Sequence, residues 1–342
     1  MTAADAPTGR TVTVAAARAF AVDALVAAGT DPDVARSVAN ALVLAEMSDL
    51  KSHGLVRLES YAAQVLTGKV DGRAVPSVRA MAPAVISIDA GTGFSYPAID
   101  TAVEALPALA RSNGVAAAGI HRAHHAGAIG LHVETLAETG LVALMVANAP
   151  ASIAPWGGTA AVFGTNPIAI GCPRPGADPI VVDLSVAKVA RGNILAAAQR
   201  GEPIPEGWAV DRDGRPTTDA KAALAGTMLP AGDAKGTALA FLVEILCAMA
   251  GGRLATEQSS LFTGDGPPPE IGHLIVAFDP SAFGPGFGDR IAALAESIEG
   301  QPGARLPGSR RRASRRRAED EGLPIPASLE AALHALIGRP RG

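Results

Sequence analysis

Between residues 84 and 147 the chain alternates short apolar runs with helix-length segments, and this alternation restricts the fold more than any other feature. Residues 84–89, 115–120 and 141–147 are strand-like, the last rich in Val, Leu and Met, while residues 97–112 and 127–139 carry helical spacing. Gly91-Thr92-Gly93 marks the turn out of the first strand and Gly140 the stop of the second helix. Strands that alternate with helices bury their sheet beneath those helices, so the segment predicts an α/β lobe with a substantial sheet. Residues 168–171, 180–183 and 274–278 are further strand candidates, apolar enough to be interior strands rather than surface edges.

The segments on either side read as helical. Phe20, Ala24, Leu25 and Ala28 share one helical face within residues 13–28, and Gly29 supplies a stop. Asp31-Pro32 restarts the helix, because Asp caps and Pro is tolerated in a first turn; Val34, Val38 and Leu42 form its buried stripe. A further short helix through Tyr61 and Leu66 ends at Gly68. Residues 1–75 thus form a helical lobe, joined by the C-terminal helices of 310–342, and residues 76–309 form the α/β region. A helix over 233–250, with Leu239, Leu242, Val243, Leu246 and Met249, is apolar over much of its girth and is expected to be buried. Residues 267–269 are a loop, and 301–322 is a Pro-, Gly- and Arg-rich stretch before a last helix near 328–337.

Composition removes several function classes. With 342 residues, 48% of them hydrophobic, the chain can bury a large core, and its 4% aromatic content suits tight Ala-rich helix packing. A net charge of −4 and a pI near 6.0 argue against nucleic acid as a partner. Cys172 and Cys247 sit in apolar surroundings without metal-type spacing, which points to a reduced, cytoplasmic protein. Residues 1–10 lack the basic-then-apolar order of a secretory leader, and Gly, Pro or charge interrupts every apolar tract before about 18 residues, so no membrane span is expected.

Candidate chemistry begins at Ser52-His53-Gly54-Leu55-Val56-Arg57. An imidazole four residues before a guanidinium would share one face of a continuing helix, where His53 exchanges a proton and the fork of Arg57 grips a carboxylate. A second group, His121, His124, His125 and His132, lacks the nearby Asp or Glu and the roughly four well-placed donors that zinc needs, so no metal is expected. His125-Ala126-Gly127-Ala128 reads instead as a strand-to-helix turn whose small residues admit a ligand to backbone N–H groups. Gly164-Thr165-Asn166-Pro167 and Asp183-Leu184-Ser185 offer side chains that either bind a ligand or cap the backbone. Lys235-Gly236, in a helix first turn where a cation opposes the helix dipole, suggests an anion partner. The run Arg305-Leu306-Pro307-Gly308-Ser309-Arg310-Arg311-Arg312, continued by Arg315 to Arg317, reads as a solvated helix face, some of whose arginines can meet cofactor phosphates. No Gly-x-Gly-x-x-Gly links a strand to a helix, and no Walker-type phosphate loop is present.

Taken in series with Pro205-Glu206-Gly207-Trp208 and Asp211, these motifs resemble the malate/L-lactate dehydrogenase family over nearly the whole chain. The stretches 183–192 and 226–236, with Ser259-Ser260 and Arg305-Leu306-Pro307-Gly308, are most similar to its sulfolactate dehydrogenase branch. The resemblance implies an α/β, sulfolactate dehydrogenase-like, non-Rossmann NAD(P)-binding fold with an added helical lobe, which accounts for the missing fingerprint. It also implies a homodimer that passes hydride from NADPH or NADH to a small 2-oxo acid or, in a sister branch, to a cyclic imino acid; the arginine run favours NADPH. On this likeness His53 is the proton donor, Ser52 orients it, Arg57 binds the substrate carboxylate and Thr165 lies beside the substrate. His124, His125, Ala126, Gly127, Asp183, Leu184, Ser185, Arg191, Gly192, Lys235, Gly236, Arg305, Arg310 and Arg311 would line the cofactor. Some family members give the acid–base role to the histidine at position 125, and that choice stays open here.

Two departures from the family pattern matter. Val186-Ala187 stands where many relatives have Thr-Ser, which removes two hydroxyls from the cofactor side. Asn193 stands where the imino-acid branch has an Asp that completes a relay with the Ser-His pair; it can hydrogen-bond but cannot raise an imidazole's pKa through charge. The expectation is therefore a 2-oxo-acid reductase acting without metal, nucleic acid or membrane, with cyclic imino acid reduction as the alternative and a metal-dependent hydrolase at His121, His124 and His125 as a third class.

Overall fold

The computed structural model describes residues 10–338. Residues 1–9, within the stretch expected not to be a secretory leader, and 339–342, within the range 310–342 expected to join the helical lobe, lie outside the described residues.

Local capping explains the first helices. After β1 (Arg10–Val12), the Thr13 hydroxyl accepts the Ala16 N–H at 3.1 Å to open α1 (Val14–Ala27). Gly29 turns the chain at φ +99°, and the Asp31 carboxylate accepts the Asp33 N–H at 2.8 Å to open α2 (Pro32–Met47). A single 3₁₀ turn at Lys51–His53 leads to α3 (Arg57–Leu66). The buried stripe of α2, Val34, Val38 and Leu42, packs in one core with Leu25, Leu58 and Tyr61.

The next segment builds the sheet: β2 (Ser77–Ala82), β3 (Val85–Asp89), α4 (Ser95–Asn113), β4 (Val115–Ala123), α5 (Ile129–Glu138), β5 (Val142–Ala147), β6 (Ile168–Arg174) and β7 (Ala177–Leu184). A smaller unit follows, with α6 (Arg191–Arg200), β8 (Ala209–Val210), β9 (Pro216–Thr217), α7 (Ala220–Ala225) and β10 (Thr227–Met228) around a core that includes Ile153, Val186, Ile194 and Met228. The chain then returns through α8 (Ala234–Met249) and β11 (Ile271–Phe278) to α9 (Phe287–Glu299), α10 (Ser309–Glu321), β12 (Leu323–Ile325) and α11 (Ala327–Ile337).

The described strands form a seven-stranded mixed sheet in the order β2-β3-β4-β11-β5-β6-β7, in which only β3 and β4 run parallel, joined through α4. Alternate residues of β4 sort to the two faces: Ala116, Ala118 and Ile120 pack toward α4 and α5, while Ala117 lies with the α8 residues Val243 and Cys247. Gly119 on that second face lies close to the end of α8: a Cβ there would sit 3.3 Å from the Ala250 side chain, a tight contact. β1 pairs with β12, and Leu323, Leu333 and Leu336 join the core of α1–α3, so the last helices pack on the first. No helix among the described residues is long and apolar enough to cross a membrane.

Three expectations fail for physical reasons. β7 is an edge strand, paired only to β6; its apolar run faces α5 on one side, which periodicity alone does not distinguish from an interior position. The helix expected to be buried, α8, presents Leu239, Phe241, Leu242, Ile245 and Met249 to the surface, and Phe241 and Met249 are 57% and 69% exposed. The arginine run is only partly a solvated face: Arg305, Arg310, Arg316 and Arg317 are exposed, but in α10 Arg312 pairs with Glu134, Glu138 and Asp178, and Arg315 pairs with Glu134 and donates to the Ser48 hydroxyl at 2.8 Å. These pairs rivet α10 to α5 and to the end of α2. The sequence reading also misses β2, whose six residues are all exposed, and the helices α6 and α9.

Candidate active site

The candidate site lies where the turn between α2 and α3 meets the loop after β4. Glu46, near the end of α2, builds that turn: its carboxylate accepts the Leu55 N–H at 3.0 Å and pairs with Lys51 at 2.7 Å. Gly54 makes this possible, because a Cβ there would stand 2.1 Å from Glu46 Oε2. The helix therefore does not continue from His53 to Arg57. Gly54 breaks it at φ −93°, ψ −147°, and the Ser52–Arg57 approach is made differently, by Arg57 Nε donating to the Ser52 carbonyl at 2.7 Å.

Ser52 Oγ lies 2.9 Å from His53 Nδ1, and the His53 ring stacks on His125 with centroids 5.4 Å apart and planes 22° from parallel. His125 is held by its Nδ1, 3.0 Å from the Tyr61 hydroxyl, which lies 3.1 Å from the Tyr96 hydroxyl. Burial, helped by the charges of Arg57 and Arg311, brings the His53 pKa down to about 4. His125 is lowered well below the ordinary imidazole value by burial and then by Arg57 and the neighbouring histidines. The two imidazoles are neutral at pH 7 until an anion arrives beside them.

Arg57 spends only Nε on the backbone, and its two terminal nitrogens have no carboxylate partner among the described residues. Its guanidinium carbon lies 4.8 Å from the centroid of the Phe262 ring. The loop carrying Phe262 is tied to α3 and the residues that follow it. Lys69 Nζ donates to the carbonyls of Ser260, Thr263 and Asp265 at 2.6, 3.1 and 2.7 Å, and Gln64 Nε2 donates to the Leu261 carbonyl at 3.1 Å. A planar cation stacked on one face and open at its forked end suits a carboxylate ligand.

Other expected residues fall in different places. Thr165 contributes its carbonyl to the Val186 N–H and the Ser185 hydroxyl, and Ser185 Oγ also accepts the Ala187 N–H, so Ser185 caps its own turn. His124 is 1% exposed with Nε2 on Gln64 Oε1 at 2.8 Å; its side chain belongs to the core and has no face for a cofactor. His132 Nε2 lies 2.9 Å from the Ala126 carbonyl, and His121 sits in β4 opposite Asp89 of β3. Gly127, at φ +65°, serves packing: a Cβ there would lie 2.7 Å from the Tyr96 hydroxyl. Asn193 is exposed in the first turn of α6, which packs on α7, and makes no hydrogen bond to Ser52 or His53.

On the expected cofactor side, Asp183 sits at the N-terminus of α5, where the Gly130 N–H and the Arg311 guanidinium (3.0 Å) both meet its carboxylate. A Cβ on Gly130 would come within 2.7 Å of that carboxylate. Arg311 is thus committed to Asp183. Arg305 and Arg310 are exposed and have no ion-pair partner among the described residues; with Gly308 at φ +87° and the backbone of 181–183 they line an open pocket of about 540 Å³. Lys235 is exposed, Gly236 lets the Ala231 carbonyl approach, Arg191 reaches the Leu224 carbonyl, and Leu184 and Gly192 are exposed.

Residues 12–334 match the family described as Malate/L-lactate dehydrogenase. The chain belongs to that family. It is 48% identical over 299 residues to a (2R)-3-sulfolactate dehydrogenase (NADP(+)) of Chromohalobacter salexigens, covering 87% of this chain and 90% of the relative. It is 41% identical over 328 residues to a Δ1-pyrroline-2-carboxylate reductase of Ancylobacter novellus, covering 94% and 95%. Its fold superposes on the crystal structure of Δ1-piperideine-2-carboxylate reductase from Pseudomonas syringae pv. tomato with a TM-score of 0.90 at 37% identity, covering 96% of this chain and 99% of that one. The sulfolactate dehydrogenase of Methanocaldococcus jannaschii gives a TM-score of 0.88 at 27% identity, with 96% of each chain covered.

The fold also brings to the site residues that no sequence motif marks. Glu46, Tyr61, Tyr96, Gly130 and Phe262 all touch the site. One signal was available: the chain has only two tyrosines, and both are buried here.

Proposed function

We propose that the chain is an NADPH-dependent oxidoreductase that interconverts a small 2-oxo acid and its 2-hydroxy acid, sulfolactate being the substrate type best supported. The observation that carries this reading is the Ser52–His53 pair set beside the unpaired fork of Arg57. The substrate carboxylate binds the two terminal nitrogens of Arg57, which places C2 and its oxygen beside His53. Bound NADPH would supply a hydride to C2. As C2 is reduced, the carbonyl π pair moves onto oxygen, and protonated His53 gives that oxygen its proton while Ser52 Oγ holds Nδ1. In the oxidation direction neutral His53 takes the hydroxyl proton.

The chain's residues fit the cofactor. Arg305 and Arg310 are free cations beside a glycine turn and a pocket open enough for phosphates, and they would hold the phosphate groups of NADPH, with NADH the weaker ligand. The test is loss of nicotinamide absorbance with NADPH and NADH, each against sulfopyruvate, oxaloacetate, pyruvate and the two cyclic imino acids. Turnover of an open-chain oxo acid with NADPH is the expected outcome. The 41% identity to a pyrroline-2-carboxylate reductase keeps a second reading, cyclic imino acid reduction, and turnover of the imines alone would establish it.

The exposed face of α8 supports a homodimer. Five large apolar side chains on one surface helix of a water-soluble enzyme call for a partner, and a second copy of this chain is the partner in this reading. Sedimentation should give a dimer for the wild type and a monomer for Ile245→Glu; a wild-type monomer would exclude the assembly. The free thiols Cys172 and Cys247 accord with a reducing, cytoplasmic location.

A further inference from the structure

Two stacked imidazoles in one site need not do the same work, and hydrogen accounting separates them. Each has Nδ1 beside a hydroxyl, Ser52 for His53 and Tyr61 for His125, and neither Nε2 has a protein partner among the described residues. The Ser52 hydroxyl is exposed and can rotate, so it accepts from or donates to His53. The hydroxyls behind His125 have no such freedom. Tyr61 and Tyr96 are 0% and 2% exposed, and among the described residues the Tyr96 hydroxyl has one hydrogen-bond partner, the Tyr61 hydroxyl. A buried O–H without an acceptor is costly, so Tyr96 donates to Tyr61. Tyr61, already accepting, donates its own proton to His125 Nδ1 at 3.0 Å. Nδ1 is then bare, and the proton of the neutral ring sits on Nε2.

We propose that Tyr61, directed by Tyr96, is a positioning residue that fixes His125 as its Nε2–H tautomer, so that this nitrogen donates a hydrogen bond to the 2-oxo oxygen of the substrate while His53 transfers the proton. Burial favours the arrangement, because it keeps both phenols protonated and His125 neutral. The backbone that carries the ring is held as well: the Ser95 hydroxyl donates to the His125 backbone carbonyl at 2.6 Å, and the His53 ring stacks on one face of the imidazole. Gly127 belongs to the same device, since a side chain there would displace the Tyr96 hydroxyl. The catalytic half of this assignment rests on the oxo-acid reading above, whereas the tautomer does not.

The test pairs Tyr61→Phe and Tyr96→Phe, each of which removes one oxygen, with melting temperature as the check on folding. Nitrogen chemical shifts of ¹⁵N-histidine-labelled enzyme, without substrate, should show His125 protonated at Nε2 and bare at Nδ1 in the wild type, and a mixture of tautomers in Tyr61→Phe. With the oxo acid that the wild type turns over, kcat of Tyr61→Phe should fall by about 10- to 100-fold with KM within about twofold, the scale on which groups behind a functional imidazole act. Tyr96→Phe should lie between it and the wild type, because it acts only through Tyr61. An unchanged tautomer in Tyr61→Phe, a wild-type kcat in that variant, or a larger loss in Tyr96→Phe than in Tyr61→Phe would each overturn the assignment. Failure of the wild type to reduce any oxo acid would overturn the functional reading instead and leave the nitrogen shifts as the measure of the tautomer.

Discussion

If His53 is the proton donor proposed above, His53→Ala should lower kcat/KM for oxo-acid reduction by about 10²–10⁴-fold, or roughly 3–5 kcal/mol of transition-state stabilisation, because it removes the imidazole set between Ser52 and the stacked His125. Arg57→Ala should cost a similar amount, most of it in KM, since the carboxylate loses a two-point clamp. Arg57→Lys should recover little, because an ammonium has no fork and stacks poorly on Phe262. The pH dependence carries a sign. With a pKa of about 4 in the free enzyme, His53 is unprotonated at neutral pH, so reduction must take up a proton together with the substrate. Reductive kcat/KM should therefore fall about tenfold per pH unit above that value, while oxidative kcat/KM, which needs the neutral ring, stays level. The substrate carboxylate assists by neutralising Arg57, one of the charges that depress His53. A near-wild-type rate in His53→Ala would assign proton transfer to His125.

How much of this was legible beforehand depends on the range of the interaction involved. Thr13, Asp31-Pro32 and Gly29 act on the nearest few backbone groups, so the first helices could be read with their boundaries almost intact. The alternation of residues 84–147 gave the α/β sheet for the same reason, since each strand and helix carries its own period. What failed was long-range. A helix apolar all round looks the same whether it enters a core or meets another copy of the chain, so α8 was placed inside. Arg312 and Arg315 meet Glu134 across more than 170 residues, and no local pattern tells a buried ion-pair rivet from a solvated run. At the candidate site, Ser52, His53 and Arg57 are adjacent in sequence, but the helix expected to join them is broken at Gly54, against which Glu46 packs from an earlier helix. Tyr61 sits four residues after Arg57 in plain view; its partner Tyr96 and its target His125 come from other parts of the chain. Asn193, chosen by family position rather than by any local pattern, lies on the surface of α6.

Mild acid should destabilise the protein by several kcal/mol before its surface carboxylates protonate. His124 and His273 are both fully buried, and in each the Nδ1 atom has no hydrogen-bond partner among the described residues. His273 Nε2 donates to the His124 carbonyl at 3.1 Å, and His124 Nε2 lies 2.8 Å from Gln64 Oε1, so each ring is neutral with a bare Nδ1. Adding a proton there creates a cation with no acceptor. Burial accordingly lowers His124 to about 3, with Arg57, Lys69 and His273 adding to the shift, and lowers His273 to about 4 despite the upward pull of its bond to the His124 carbonyl. In the unfolded chain both rings bind a proton near 6.5, so below that pH the unfolded state holds more protons than the folded one and stability falls as pH falls. Each ring contributes about 1.4 kcal/mol per pH unit until pH nears its folded pKa, and together they remove about 6 kcal/mol by pH 4, a large share of the roughly 5–15 kcal/mol that holds a typical domain. Urea midpoints measured from pH 7 to pH 4 should decline steeply below 6.5. In His273→Asn, which keeps a donor for the His124 carbonyl but has no basic nitrogen, the slope should shrink by the share of one ring. A profile that stays flat to pH 5 would mean that water reaches these nitrogens and that the core beneath His125 is wet, in which case the buried hydroxyl pair behind that histidine would also lose its forced direction.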